Sequence, residues 1–120
     1  MKRIYTSYFG AIRKYQFDKN KCYSIARKPP YTFKGGFIFE LAPSIILLYS
    51  YLQHKINIKQ YTKIFNSQLE GLDCSLICNK LQDGSILLCY EKPDVFCHRH
   101  LVADWINKNI KTTICKEFTI

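Results

Sequence analysis

The sequence predicts a small three-layer α/β fold: a mostly parallel sheet of about four strands flanked by helices, Rossmann-like in plan. Three observations predict it. Short strand-like segments alternate with helical patterns, the arrangement that builds parallel sheets. Ser85-Ile86-Leu87-Leu88-Cys89 is a short, nearly continuous apolar run, the pattern of a strand covered on both faces. The 120 residues, 48% apolar and 22% charged, suit one domain spanning 1–120. That composition excludes wholesale disorder, and the length excludes a second full domain.

The elements follow in order. Tyr5 to Tyr8, after Ile4, reads as an aromatic-rich first strand ended by Gly10. Cys22 to Ala26 reads as a second strand. Arg27 to Gly36 reads as a loop, since Pro29, Pro30, Gly35 and Gly36 break regular structure. Ser44 to Gln53 reads as a buried helix with Pro43 near its first turn. Asn57 caps a second helix with Ile58, Tyr61, Phe65 and Leu69 on one stripe. A third, short helix covers Leu72 to Leu81, and Asp83-Gly84 is a turn. After the Ser85–Cys89 strand come a loop from Tyr90 to Phe96, a helix from about Cys97 to Asn107 and a last strand at Thr112 to Lys116. In such folds ligands bind beyond the carboxyl ends of the strands, which directs attention to the loops after Ala26 and after Cys89.

The formal net charge of +9 is unevenly placed. Residues 1–35 hold nine Lys and Arg against one acid, Asp18, so nearly all of the excess lies in the first two strands and their loops. A concentrated positive field attracts phosphate-bearing partners, although lysine-rich composition and solubility account for it equally well. Tyr31 and Phe33 are interleaved with Arg27, Lys28 and Lys34, so bases can stack on rings while cations hold phosphates. The longest apolar stretch, Leu41 to Leu52, falls short of the roughly 20 residues a membrane span needs. The basic N-terminus has no apolar centre after it. The chain is therefore expected in the cytoplasm with no membrane partner. There the six cysteines are expected to stay reduced, with Cys22, Cys74, Cys78 and Cys115 serving as small core hydrophobes.

The richest segment is Cys89 to His100. Leu101, Val102, Trp105 and Ile106 form the apolar stripe of its helix, and a step back of four residues puts Cys97 and His98 on the inward face. Asp94 is a natural N-cap, which makes Cys97 the third helical residue. The helix start supplies free N–H groups for an anion, and Arg99 adds a planar cationic fork. A thiol in the first turn gains thiolate character. Glu91, just past the strand, is placed for general-base work or for a sugar hydroxyl. Against these stand plainer readings: Cys97 and His98 as packed core, and Arg99 paired with Glu91 or Asp94. A metal site on Cys89, Cys97 and His98 or His100 fits no common zinc spacing.

This segment resembles the domain of unknown function 488 family. The likeness rests on Leu87-Leu88-Cys89-Tyr90-Glu91-Lys92-Pro93 and Phe96-Cys97-His98-Arg99-His100-Leu101-Val102-Ala103. Ile4 to Tyr8, Ser24 to Arg27 and Leu41 to Ser44 carry weaker matches, so a compact member is implied. The resemblance implies an α/β fold, with Cys89, Glu91, Cys97, His98 and Arg99 as distinctive residues. It implies no activity. The short, proline-bearing loop after Arg27 departs from longer members.

The leading expectation is a protein that binds a nucleotide or nucleic acid. Arg99, Arg27, Lys34 and Lys92 are the cations for phosphate, and Tyr8 and Tyr31 are the stacking rings. If chemistry follows, Glu91 and His98 are the acid–base pair and Cys97 is a less favoured nucleophile. No cofactor and no metal are expected, and the oligomeric state is open. Two alternatives stand beside it: a non-catalytic module that sequesters a nucleotide or joins a nucleic-acid complex, and a thiol or metal protein built on Cys89, Cys97 and His98. No glycine-rich phosphate fingerprint is present, since Gly35-Gly36 stands alone.

Overall fold

The computed structural model describes residues 1–120. Five strands, β1 (Lys2–Tyr8), β2 (Cys22–Ser24), β3 (Gly36–Phe37), β4 (Ser85–Cys89) and β5 (Thr113–Glu117), form one sheet in the order β3-β2-β4-β1-β5. Every pairing is parallel. Central β4 is buried along its whole length, as its apolar run requires. Its register sets Cys89 level with Tyr8 and Leu88 level with Ser24, so β1, β2 and β4 end together.

The two sheet faces are covered unequally. Helices α3 (Ile58–Glu70), α4 (Cys74–Asn79) and α5 (His98–Asn109) bury Phe65, Leu69, Ile77, Val102 and Ile106 against Ile4, Leu87 and Cys115. The other face carries Cys22, Ile86 and Leu88, shielded by Phe9, Phe17 and Phe33 and by the short helix α1 (Ala11–Tyr15). Asn57 closes a capping box with Gln60 at the start of α3, and Asp73 caps α4 through the Leu76 N–H. The α3 stripe packs as its spacing predicts at Tyr61, Phe65 and Leu69, while Ile58, in the first turn, stays half exposed. The thiols of Cys22, Cys74, Cys78 and Cys115 are free and buried. No helix is long and apolar enough to cross a membrane.

Three features depart from the sequence expectation. The segment read as one loop from Arg27 to Gly36 ends in β3, a two-residue edge strand, so the sheet has five strands. Helix α1 lies where no element was expected. Helix α2 (Ile45–Leu52), read as buried, is a surface helix capped by Ser44: only Leu47 is fully buried, and Ile46 is 81% exposed. Its run of apolar residues is nearly continuous around the helix, so sequence alone could not say which side the core would claim.

β3 lies close against β2, and glycine makes that approach possible. A Cβ at Gly35 would meet the Cys22 carbonyl and the Phe33 ring. Gly35→Ala is expected to destabilise the fold by about 1–3 kcal/mol through this overpacking, read as a lower midpoint in urea unfolding. A midpoint equal to wild type would show that β3 is not held as described.

Candidate functional site: a cavity beyond β2 and β4

The chain leaves β2 toward β3 at one edge, and leaves the adjacent β4 through α5 toward β5 at the other. Their outgoing connections diverge, which opens a crevice at their carboxyl ends, the switch point where ligands bind in open parallel sheets. A cavity of about 380 Å³ occupies it. Tyr49 and Leu52 of α2, Tyr61 of α3, and Tyr90 and Phe96 of the loop after β4 make its walls. Tyr51, Tyr61 and Phe96 brace one another edge to face at 5.2–5.8 Å between centroids. Arg27, Lys28 and Glu91 supply the charged groups of the lining, and Cys89, Cys97, His98 and the tyrosines complete its heteroatom-bearing side chains.

His98 is held firmly. Its ring lies 5.4 Å from that of Phe65, and Nε2 sits 2.7 Å from the Ile25 carbonyl oxygen. A carbonyl only accepts, so Nε2 carries the hydrogen and Nδ1 presents its lone pair, 3.6 Å from the Cys97 sulfur. Burial pushes the imidazole pKa down to about 4, with the Arg99 and His100 charges adding to the effect and the Ile25 bond partly opposing it. The ring is neutral at neutral pH.

The start of α5 differs from the sequence expectation. Cys97, not Asp94, is the N-cap, and His98 is the first helical residue. The Cys89 and Cys97 sulfurs are brought together where β4 ends and α5 begins, whereas Cys22, Cys74, Cys78 and Cys115 stay free. Cys89 and Cys97 both lie at the cavity.

Arg99 has no exposed surface, and its anion is internal. Nε and Nη2 donate to the two Glu117 carboxylate oxygens at 3.0 and 2.8 Å, a bidentate pair. Nη1 donates to the Cys89 sulfur at 3.0 Å and to the Glu91 carbonyl. Thr6 donates to the same carboxylate at 2.7 Å. The guanidinium therefore ties α5, β5, β1 and the end of β4 beneath the cavity floor and is not presented to the cavity. The ion pair foreseen with Glu91 or Asp94 forms with Glu117 instead. That partner lies 18 residues away on β5, and no local spacing pointed to it.

The other expected site residues divide by position. Arg27, Glu91, Cys97 and His98 share the cavity. Arg27 is fixed by Nε on the Pro43 carbonyl at 2.9 Å. Lys34 instead lines a second cleft of about 420 Å³ with Arg13, Lys19, Phe9 and Phe33. Tyr8 is half-buried at the end of β1, Lys92 is exposed on the loop, and Tyr31 is 97% exposed; none of these three lines the first cavity. The sequence reading missed Tyr49, Tyr51, Tyr61 and Phe96 as walls. Their signal was the aromatic content of two segments read as helices and of the loop read from Tyr90 to Phe96.

Burial alone would raise the Glu117 pKa, but the hydrogen bonds from Arg99 and Thr6 and the guanidinium charge outweigh it and hold the carboxyl below its ordinary value. With the folded pKa below the unfolded one, the stability contributed is complete above the unfolded value, about 4.3, and fades as pH falls through the folded value. Glu117→Gln should flatten that part of the acid-stability profile. At neutral pH it should cost on the order of 3 kcal/mol, because it strands a buried guanidinium. Chemical denaturation from pH 3 to 7 measures both; an unchanged profile would contradict the pair's role.

No curated protein and no solved structure matches the chain. A family model described as the active DUF488-N3 subclade matches residues 12–110, which takes in β2, β3, β4, the whole cavity lining and α5. The chain belongs to the DUF488 family.

Proposed function

We propose that the protein binds a nucleotide, either free or as one exposed unit of a nucleic acid, in the cavity beyond β2 and β4. The observation that carries this reading is the pairing of an aromatic-walled crevice at the switch point with two cations on one side of it. A planar base fits between the rings of Tyr49, Tyr51, Tyr61, Tyr90 and Phe96, where each stacked base gains about 1–3 kcal/mol. Arg27, held on the Pro43 and Ala42 carbonyls through Nε and Nη2, directs its other N–H groups at a phosphate. Exposed Lys28 adds a second charge. Glu91 is the one carboxylate of the lining, suited to a sugar hydroxyl or to general-base work. His98, neutral and lone-pair-bearing at Nδ1, acts as an acceptor rather than as a cation.

The second cleft supports the nucleic-acid form of the reading. Its charged residues, Arg13, Lys19 and Lys34, are all basic. Its Phe9 packs on Tyr90 of the first cavity at 4.9 Å, so one aromatic contact separates the two. A strand that places one base in the cavity can run its backbone toward this cleft. The alternative of a non-catalytic module that sequesters a nucleotide uses the same cavity. Recovery of intact nucleotide after prolonged incubation favours it, and a changed base, sugar or phosphate favours an enzyme.

Calorimetric titration with matched nucleosides and nucleotides tests the assignment. Arg27→Ala should weaken nucleotide binding about 10- to 100-fold, the worth of a charge-assisted bond, and leave nucleoside binding nearly unchanged. Equal losses for both, or no binding of either by wild type, would reject it. Replacing Arg13, Lys19 and Lys34 together with Ala should leave mononucleotide affinity alone. The same variant should lower oligonucleotide affinity and reduce its salt slope by about two to three on a logarithmic plot. An unchanged slope would restrict the ligand to free nucleotides.

A further inference from the structure

The Cys89, Cys97 and His98 donor atoms all lie within 4.8 Å of one another, although no sequence spacing typical of a metal motif joins them. The end of β4 supplies Cys89, and the start of α5 supplies the other two. All three residues are buried, yet they line the cavity. Three features suit this cluster to a metal ion.

The first is the imidazole. The Ile25 carbonyl takes the Nε2 hydrogen at 2.7 Å and leaves Nδ1 as the lone-pair donor toward the sulfurs. A metal-bound histidine is oriented in the same way, through a hydrogen bond from its second nitrogen. The second is Arg99 Nη1, 3.0 Å from the Cys89 sulfur. A buried cation donating to that sulfur favours thiolate, the form that ligates metal. The third is backbone spacing. The two cysteine Cα atoms stand 7.6 Å apart, beyond the roughly 4.4–6.8 Å usual for a cysteine pair bonded only to each other. Sulfurs that share a third atom between them relax that requirement.

We propose that the reduced protein binds one thiophilic divalent cation of the zinc class through Cys89 Sγ, Cys97 Sγ and His98 Nδ1, with the fourth position open to the cavity. Two-electron reduction of the sulfur pair by a dithiol yields two thiols. Binding then releases two protons from them, and the thiolates neutralise the ion's charge. Two sulfurs and one imidazole select zinc or cobalt over magnesium or calcium, which prefer oxygen. Three protein ligands with a fourth place open is the pattern of catalytic rather than structural sites. An ion here would face whatever occupies the cavity, but its binding does not depend on the nucleotide reading and is tested without any nucleotide.

The full-length chain is reduced with a dithiol, freed of reductant under inert gas, and titrated with Co²⁺. One equivalent should produce thiolate-to-cobalt charge-transfer absorption and tetrahedral visible bands, with about two protons released, and one equivalent of Zn²⁺ should bleach them. Cys89→Ser and Cys97→Ser should each weaken binding by more than about 100-fold, since even outer partners of metal ligands cost roughly 10–100-fold. Cys115→Ser and Cys74→Ser, which alter buried thiols outside the cluster, should bind as wild type. Circular dichroism of each metal-free variant verifies folding, and His98→Gln provides a third ligand variant should one cysteine variant fail to fold. Absence of cobalt absorption in the reduced wild type would overturn the proposal. So would equal binding by the folded ligand variants, or loss of binding in Cys74→Ser or Cys115→Ser instead.

Discussion

The buried guanidinium of Arg99 is the constraint around which the carboxyl end of the sheet is arranged. A permanent charge with no exposed surface must be fully partnered inside the protein. Glu117 provides the matching carboxylate, and the Cys89 sulfur and the Glu91 carbonyl complete the set, while Thr6 donates to Glu117 in turn. The partners come from β4, β5 and the loop after β4, and Thr6 adds β1 through Glu117. Satisfying one side chain therefore fixes how α5 sits on the sheet and where its first residues point. Cys97 and His98 immediately precede Arg99, so their place at the cavity floor follows from its anchoring.

Topology supplies the rest of the site. In an all-parallel sheet ordered β3-β2-β4-β1-β5, the connections leaving β2 and β4 diverge and cannot cover the ground between them. Helix α2 and the start of α3 flank the opening and contribute aromatic rings without filling it. The cavity thus has a rigid polar floor, mutually braced aromatic walls and a cationic side at Arg27 and Lys28. Five of the nine basic residues in 1–35 fall on two neighbouring hollows, Arg27 and Lys28 at one, and Arg13, Lys19 and Lys34 at the other.

Much of this was legible in the sequence wherever one local pattern decided the outcome. The Ser85–Cys89 run could only be a strand covered on both faces, and the Asn57 cap with the Tyr61, Phe65 and Leu69 stripe fixed α3 and its inward side. The place of the cavity, beyond β2 and β4, followed from strand ends and loops. What was not legible required partners distant in the chain. Arg99 looks like a ligand-binding fork until Glu117 arrives from β5. Asp94 looks like a cap until the loop turns so that Cys97 takes the position. The apolar run of α2 carries no mark of which side meets the core. Tyr31 and Lys34 lie on the loop after β2, outside the cavity lining, and Tyr8, though level with Cys89 at the end of β1, does not line the cavity either.

The central claim is that the hollow between β2 and β4 is the ligand site. Two-dimensional amide and aromatic NMR spectra, recorded while a mononucleotide is added, test it most directly. The account predicts the largest, saturable shifts at Ala26, Arg27, Tyr51, Tyr61, Phe96 and His98. Shifts confined to Arg13, Lys19 and Lys34, or linear changes that never saturate, would contradict it.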